Sequence, residues 1–189
     1  MKGKQLISLA SAAILGLSVI PMSVSAADNV DANGRDLRYD MNMDGVVNSL
    51  DGCVIAYYYA LNQSGRDYHT NETAIAIGMT DEVVANIELN GNLHDDEEGA
   101  IDLRDAVVIQ SYLEDTGYLF GDINRDGKLD SVDASKILAC YAKMQTTSDY
   151  YLSEEYVDLL PYADADFNCL IDANDASRVL YVYAQNQSN

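Results

Sequence analysis

Gly121-Asp122-Ile123-Asn124-Arg125-Asp126-Gly127-Lys128-Leu129-Asp130-Ser131-Val132-Asp133 sets oxygen-bearing side chains at alternate positions, Asp122, Asn124 and Asp126. Counting from Asp122, glycine stands sixth (Gly127), an apolar residue eighth (Leu129) and a carboxylate twelfth (Asp133). A hard cation such as calcium takes six to eight oxygens, and a twelve-residue loop supplies them from positions one, three, five, seven, nine and twelve. Glycine at the sixth position permits the left-handed turn that wraps the chain around the ion. Lys128, seventh, can offer only its main-chain carbonyl, and Asp130, ninth, acts through a water. A solvated acidic turn would explain neither the spacing nor the glycine.

Two features depart from a calmodulin-type EF-hand. The twelfth ligand is aspartate, where the sensor pattern has glutamate, so the exiting helix must begin closer to the ion. Upstream, Gly117-Tyr118-Leu119-Phe120-Gly121 is too short for an entering helix. The unit reads as loop then helix, with Ile137 and Tyr141 four apart on one helical face among Ala134, Leu138 and Ala142. This Asp-x-Asn-x-Asp-Gly-x-x-Asp-x-x-Asp loop, running into Ala-Ser-Lys-Ile-Leu-Ala-Cys-Tyr-Ala, resembles half of a dockerin. Dockerins are calcium-dependent modules that attach secreted enzymes to the cohesin domains of cellulosome-like or amylosome-like scaffolds.

The unit recurs along the chain. Loop 1 has Asp40, Asn42, Asp44, Val46 (carbonyl), Asn48 and Asp51, with Ile55 and Tyr59 on its helix. Loop 3 is the stretch quoted above. Loop 4 has Asp164, Asp166, Asn168, Leu170 (carbonyl), Asp172 and Asp175, with Val179 and Tyr183 following. Loop 2 is degraded: counting back from Asp105 puts His94 first, then Asp96, Glu98, Gly99 and Asp102, with Ile109 and Leu113 following. Imidazole is a poor calcium ligand, so this loop is empty, weak or altered in geometry. Three calcium sites are expected, with loop 2 a degraded fourth. The apolar eighth residues Val47, Ile101, Leu129 and Ile171 suggest loops paired through short strand contacts. Thr80-Asp81-Glu82 and Ser153-Glu154-Glu155 read as capped helix starts between the loops of each pair. The expectation is an all-α chain of two tandem dockerin-like modules, 28–116 and 118–186, each a pair of loop-helix motifs joined by a connector helix. The junction Gly117–Gly121 is too short for a flexible tether.

Residues 1–26 read as a signal peptide: Lys2 and Lys4, an apolar run from Leu6 to Ile20, then Val24-Ser25-Ala26. The chain is expected to be secreted, meeting cell surfaces only through its partners. Its 189 residues carry 31 acidic against 11 basic side chains, a net charge of −20. Such acidity argues against nucleic-acid and anionic-membrane partners, and no second apolar segment long enough for insertion follows. Each module is small enough that calcium would supply part of its folding free energy. Cys53, Cys140 and Cys169 are an odd number and imply no disulfide framework. Cys53 and Cys140 read as buried helix thiols. Cys169 replaces glycine at the sixth position of loop 4, and a Cys140–Cys169 bridge within one module is open.

No serine, cysteine or histidine stands in a nucleophile arrangement, and the clustered carboxylates that a glycosidase would need are taken up by loop positions. The chain therefore reads as non-catalytic. The resemblance implies partner-binding positions just before the twelfth ligand and one to two turns into each helix. These are Ser49, Leu50, Ala56 and Tyr57; Leu103, Arg104, Gln110 and Ser111; Ser131, Val132, Leu138, Ala139 and Lys143; and Ala173, Asn174, Leu180 and Tyr181. It further implies binding of cohesin domains, up to two per chain. A secreted calcium-binding protein of the four-EF-hand kind, or a single working dockerin with a structural N-terminal module, are the alternatives.

Overall fold

The computed structural model describes residues 29–94 and 99–188; the stretch 1–26 read as a signal peptide, Asp96 and Glu98 lie outside them. Among the described residues the regular structure is helical, with one isolated bridge between Val30 and Asp36. The α-helices are α1 (Ser49–Ser64), α2 (Glu72–Ala76), α3 (Asp81–Asn90), α4 (Leu103–Asp115), α5 (Ser131–Thr146), α6 (Glu154–Ala163) and α7 (Ala173–Gln187). None is long and apolar enough to cross a membrane.

The four long exiting helices start in the same way. The ninth loop residue is the N-cap and the twelfth is the third helical residue: Asn48 and Asp51, Asp102 and Asp105, Asp130 and Asp133, Asp172 and Asp175. Each pair closes a reciprocal capping box, so four loops end with the same two main-chain donors satisfied. The connector helices are capped as the sequence suggests, by Thr80 on the amide of Val83 and by Ser153 on that of Tyr156. They do more than connect. α3 runs into loop 2 and α6 ends on Asp164, the first residue of loop 4. Loops 2 and 4 are thus helix-loop-helix units, whereas loop 1 is entered from a single 3-10 turn (Leu37–Tyr39) and loop 3 from no helix.

α1 packs on α4 and α5 on α7. Ile55, Ile109 and Leu113 are fully buried in the first pair, and Ile137 and Val179 in the second. Tyr59, Tyr141 and Tyr183 are half-buried rather than central. The strand contacts expected between eighth residues do not form. The Val47 amide is taken by Asp31 at 3.0 Å and the Ile171 amide by the Tyr156 hydroxyl at 2.9 Å. Asp31 sits in the turn Asp31–Arg35, where it also accepts from the amides of Asn33 and Arg35. Another acceptor therefore does for loops 1 and 4 what a second loop would have done.

The two halves share one apolar core. α1 lies against α6. Ala165 gives its amide to Asp175, which leaves the Pro161 carbonyl without its helical donor. Ser49 (3.0 Å) and the buried Tyr118 hydroxyl, both from outside α6, donate to it instead. Phe167 packs over Gly52, with Cε1 2.9 Å from where a Cβ would stand. Cys53 is bonded to Cys169 across 116 residues, with Cα atoms 5.5 Å apart. The Cys140–Cys169 alternative is therefore replaced. Cys140 is a buried free thiol near the Tyr150 hydroxyl, because its place on α5 faces the core rather than loop 4.

The tight seat of Gly52 sets an expectation. Gly52→Ala should cost about 1–3 kcal/mol, since Phe167 must move to admit a methyl group; urea denaturation of the two chains measures it.

A second expectation concerns pH. Exposed His69 bridges Asp67 (Nδ1, 2.7 Å) and Asp81 (Nε2, 2.9 Å), joining the turn before α2 to the start of α3. Hydrogen bonds that it donates to Asp67 and then Asp81 hold its imidazolium above the ordinary histidine range. Because the folded pKa is raised, this tie is complete below the ordinary histidine pKa and is lost as pH rises through the raised value. An NMR titration should place His69 above 6.5, and Asp81→Asn should bring it down.

Candidate metal centres

In loops 1, 3 and 4 the first aspartate accepts from the amides of the fifth and sixth residues. Asp40 takes Asp44 and Gly45, Asp122 takes Asp126 and Gly127, and Asp164 takes Asn168 and Cys169, all at 2.9–3.1 Å. The loop closes because positions four and six are both left-handed: Met43 and Gly45, Arg125 and Gly127, Phe167 and Cys169. The twelfth aspartate ties the two ends of each loop together. Asp51 accepts from Met41, Asn42 and Asn48, Asp133 from Asn124 and Asp130, and Asp175 from Ala165, Asp166 and Asp172. The apolar second residues, Met41, Ile123 and Ala165, are buried under the ring of ligands.

Loop 4 gathers its ligands most closely. Asp164, Asp166 and Asp175 offer carboxylate oxygens all within 4.8 Å of one another. An ion about 2.4 Å from each oxygen can bridge oxygens up to about 5 Å apart. Asp166 Oδ1 is shielded from solvent and has no hydrogen-bond partner, and such an atom is costly unless something positive faces it. Burial, with Asp175 adding, pushes Asp164 up to about 7; burial, with Asp166 adding, pushes Asp175 up to about 6. Asp51 is raised well above the carboxylate range, chiefly by burial, with Asp40 and Asp44 adding to it. Asp31 shows the contrast: burial would raise it too, but main-chain bonds from Arg35, Val47 and Asn33 hold it low. Asp51 and Asp175 accept as many main-chain amides as Asp31 does; what sets them apart is burial beside other carboxylates. The donor set is oxygen only, since the two sulfurs beside Asp164 are consumed in the disulfide. These residues fit a hard divalent cation, calcium above others for the number and flexibility of ligands.

Val46, Lys128 and Leu170 hold the seventh position and could contribute only carbonyls. The ninth residues Asn48, Asp130 and Asp172 each spend a side-chain oxygen on the helix cap, which leaves Asp130 and Asp172 one further oxygen each for a bridging water and Asn48 only its already capping Oδ1.

Loop 2 has a different register from the one counted from its carboxylates. Asp105 accepts from Leu93 and His94, both at 2.7 Å, where Asp51 accepts from the second and third residues of its loop. Leu93 therefore corresponds to Met41 and His94 to Asn42, which makes Asn92 the first residue. From Asn92 to Gly99 the chain is two residues longer than from Asp40 to Gly45. The partly buried apolar Leu93 was the available signal, since the other loops have a buried apolar second residue. Asp102 is held by Arg104 at 2.7 Å, so of the four weak ligands named for this loop, one is committed elsewhere and Asp105 serves the cap.

The partner positions fall into two groups. Ser49 and Leu50 are buried against α6, and Ala56 and Tyr57 are half-buried; the first helix hides the former pair from solvent and shows the latter only in part. Ser131, Ala139, Lys143, Ala173 and Asn174 are exposed, as are Val132 (51%), Leu138 (44%), Leu180 (43%) and Tyr181 (63%). Leu103, Arg104 and Ser111 are exposed on α4, with Gln110 partly so. No family model, curated protein or solved structure matches the chain.

Proposed function

We propose that this is a secreted, non-catalytic adaptor of the dockerin kind, folded around calcium, that docks onto cohesin domains of scaffold proteins in a polysaccharide-degrading complex. The observation that carries the reading is the face of α5 and α7. Immediately past two calcium-type loops it exposes Val132, Leu138, Leu180 and Tyr181, at the positions a dockerin uses for its partner. Exposed large apolar side chains at such positions suit an interface core better than a solvated helix face. Loop geometry supports the calcium dependence, and the burial of Ser49 and Leu50 favours one docking site over two. The N-terminal half then serves mainly to support the C-terminal one, with α4 as its remaining open helix.

Titration calorimetry against cohesins from the same organism tests this. One cohesin per chain is expected, with binding abolished by a calcium chelator. Val132→Asp or Leu180→Asp should weaken binding by at least about tenfold, since a charge at an interface core costs a few kcal/mol. Two cohesins per chain would restore the bivalent form. Absence of binding with calcium uptake intact would sink the cohesin assignment and favour a secreted calcium-binding protein.

A further inference from the structure

We propose that the Cys53–Cys169 disulfide is a thiol-sensitive latch on loop 4, so that opening it lowers the calcium affinity of that loop. The inference rests on the calcium reading above and adds the control of one site.

Cys169 occupies the sixth loop position with φ of 65°, where loops 1 and 3 have glycines at 83° and 79°. An L side chain disfavours that backbone, so loop 4 needs something else to hold its turn. The bridge does so from outside the loop, anchoring Cys169 to the rigid, buried start of α1. The turn matters to the ligands directly, because the Cys169 amide donates to Asp164 Oδ2 at 2.9 Å and Asp164 belongs to the close carboxylate group with Asp166 and Asp175. Phe167, the fourth loop residue, is also left-handed and is pinned over Gly52, next to Cys53. Loop 4 is thus shaped by α1, two residues past the last ligand of loop 1.

Opening the bridge requires a thiol reductant. The reductant's thiolate attacks one sulfur, and the S–S electron pair leaves on the other, which takes a proton. A second reductant thiol resolves the mixed disulfide, so the cysteine pair gains two electrons and two protons while the reductant becomes a disulfide. Cys169 is then free to leave the left-handed region and withdraw its amide from Asp164. By reciprocity, calcium in loop 4 must resist reduction of the bridge by the same factor that the bridge strengthens calcium binding.

Calorimetry of the mature chain with calcium chloride, before and after dithiothreitol, with the bridge state read by mass spectrometry, decides the matter. One site should weaken by roughly tenfold on reduction while the others stay within twofold. Cys53→Ala should reproduce the weak site, and Cys53→Ala with Cys169→Gly should recover the strong one regardless of reductant. Should a variant fail to fold, the wild-type bridge can be equilibrated in dithiothreitol redox buffers with and without calcium, where calcium should shift the midpoint toward the oxidised chain. Unchanged affinities with the bridge open, or an unshifted midpoint, would overturn the latch. No calcium bound in either state would instead overturn the calcium reading on which it rests.

Discussion

Stripping the mature chain of calcium with a chelator should lower its unfolding midpoint by roughly 15–30 °C. Three sites held at a hundredfold excess over their dissociation constants each add about 2.7 kcal/mol to the folded state. Their sum rivals the whole stability of an ordinary domain, about 5–15 kcal/mol. The residues point the same way. Asp51, Asp133 and Asp175 are fully buried, and their carboxylates are raised, chiefly by burial. Without a cation, each is held beside other carboxylates of its own loop, Asp40 and Asp44 for Asp51, Asp122 and Asp130 for Asp133, and Asp166 for Asp175, and unfolding relieves the crowding. Differential scanning calorimetry with calcium, and then with chelator, gives the shift. A change of under 5 °C would mean that the capping boxes and the core alone hold these loops shut. Asp175→Asn should then remove one calcium equivalent, and in calcium the largest share of loop 4's stabilisation.

The disulfide carries the second large effect. Cutting it in a Cys140→Ser background, by Cys53→Ser, should cost about 3–5 kcal/mol in urea denaturation. The loop it closes spans 116 residues, and the entropy removed from the unfolded chain grows with that length. The loss should exceed that of Gly52→Ala beside it, since the bridge constrains the unfolded chain and Gly52 only the local fit. Loss of less than 1 kcal/mol would imply that the unfolded chain stays compact enough for the bridge to remove little of its freedom.

The loops were legible because a closed twelve-residue turn is a local object. Its oxygen-bearing side chains alternate within twelve residues, its turn needs a left-handed residue at a fixed place, and its ninth and twelfth residues double as a helix cap. Those are all short-range requirements, so they are written in consecutive residues from Asp40, Asp122 and Asp164. The four exiting helices and the capped starts of α3 and α6 follow for the same reason. Loop 2 was misread in register because its carboxylates are spaced as if to the twelve-residue count, while its hydrogen bonds follow the apolar residue, Leu93. An insertion moves ligands without moving the residue that must stay in the core.

What only the tertiary structure decided lies between elements far apart in sequence. Nothing near Cys53 or Cys169 says that they meet; that follows from how α1 settles on α6 through Ser49, Gly52 and the Pro161 carbonyl. The same packing hides Ser49 and Leu50, whose local setting matches that of the exposed Ser131 and Val132. Asp31 and Tyr156 took the amides expected to pair the loops, a competition between acceptors that no single loop records. By itself the sequence determined the four loop ends and which helices would follow them, because both depend on neighbours in the chain. Which faces stayed open to a partner depended on long-range burial, and burial is settled only when all the helices have found their places.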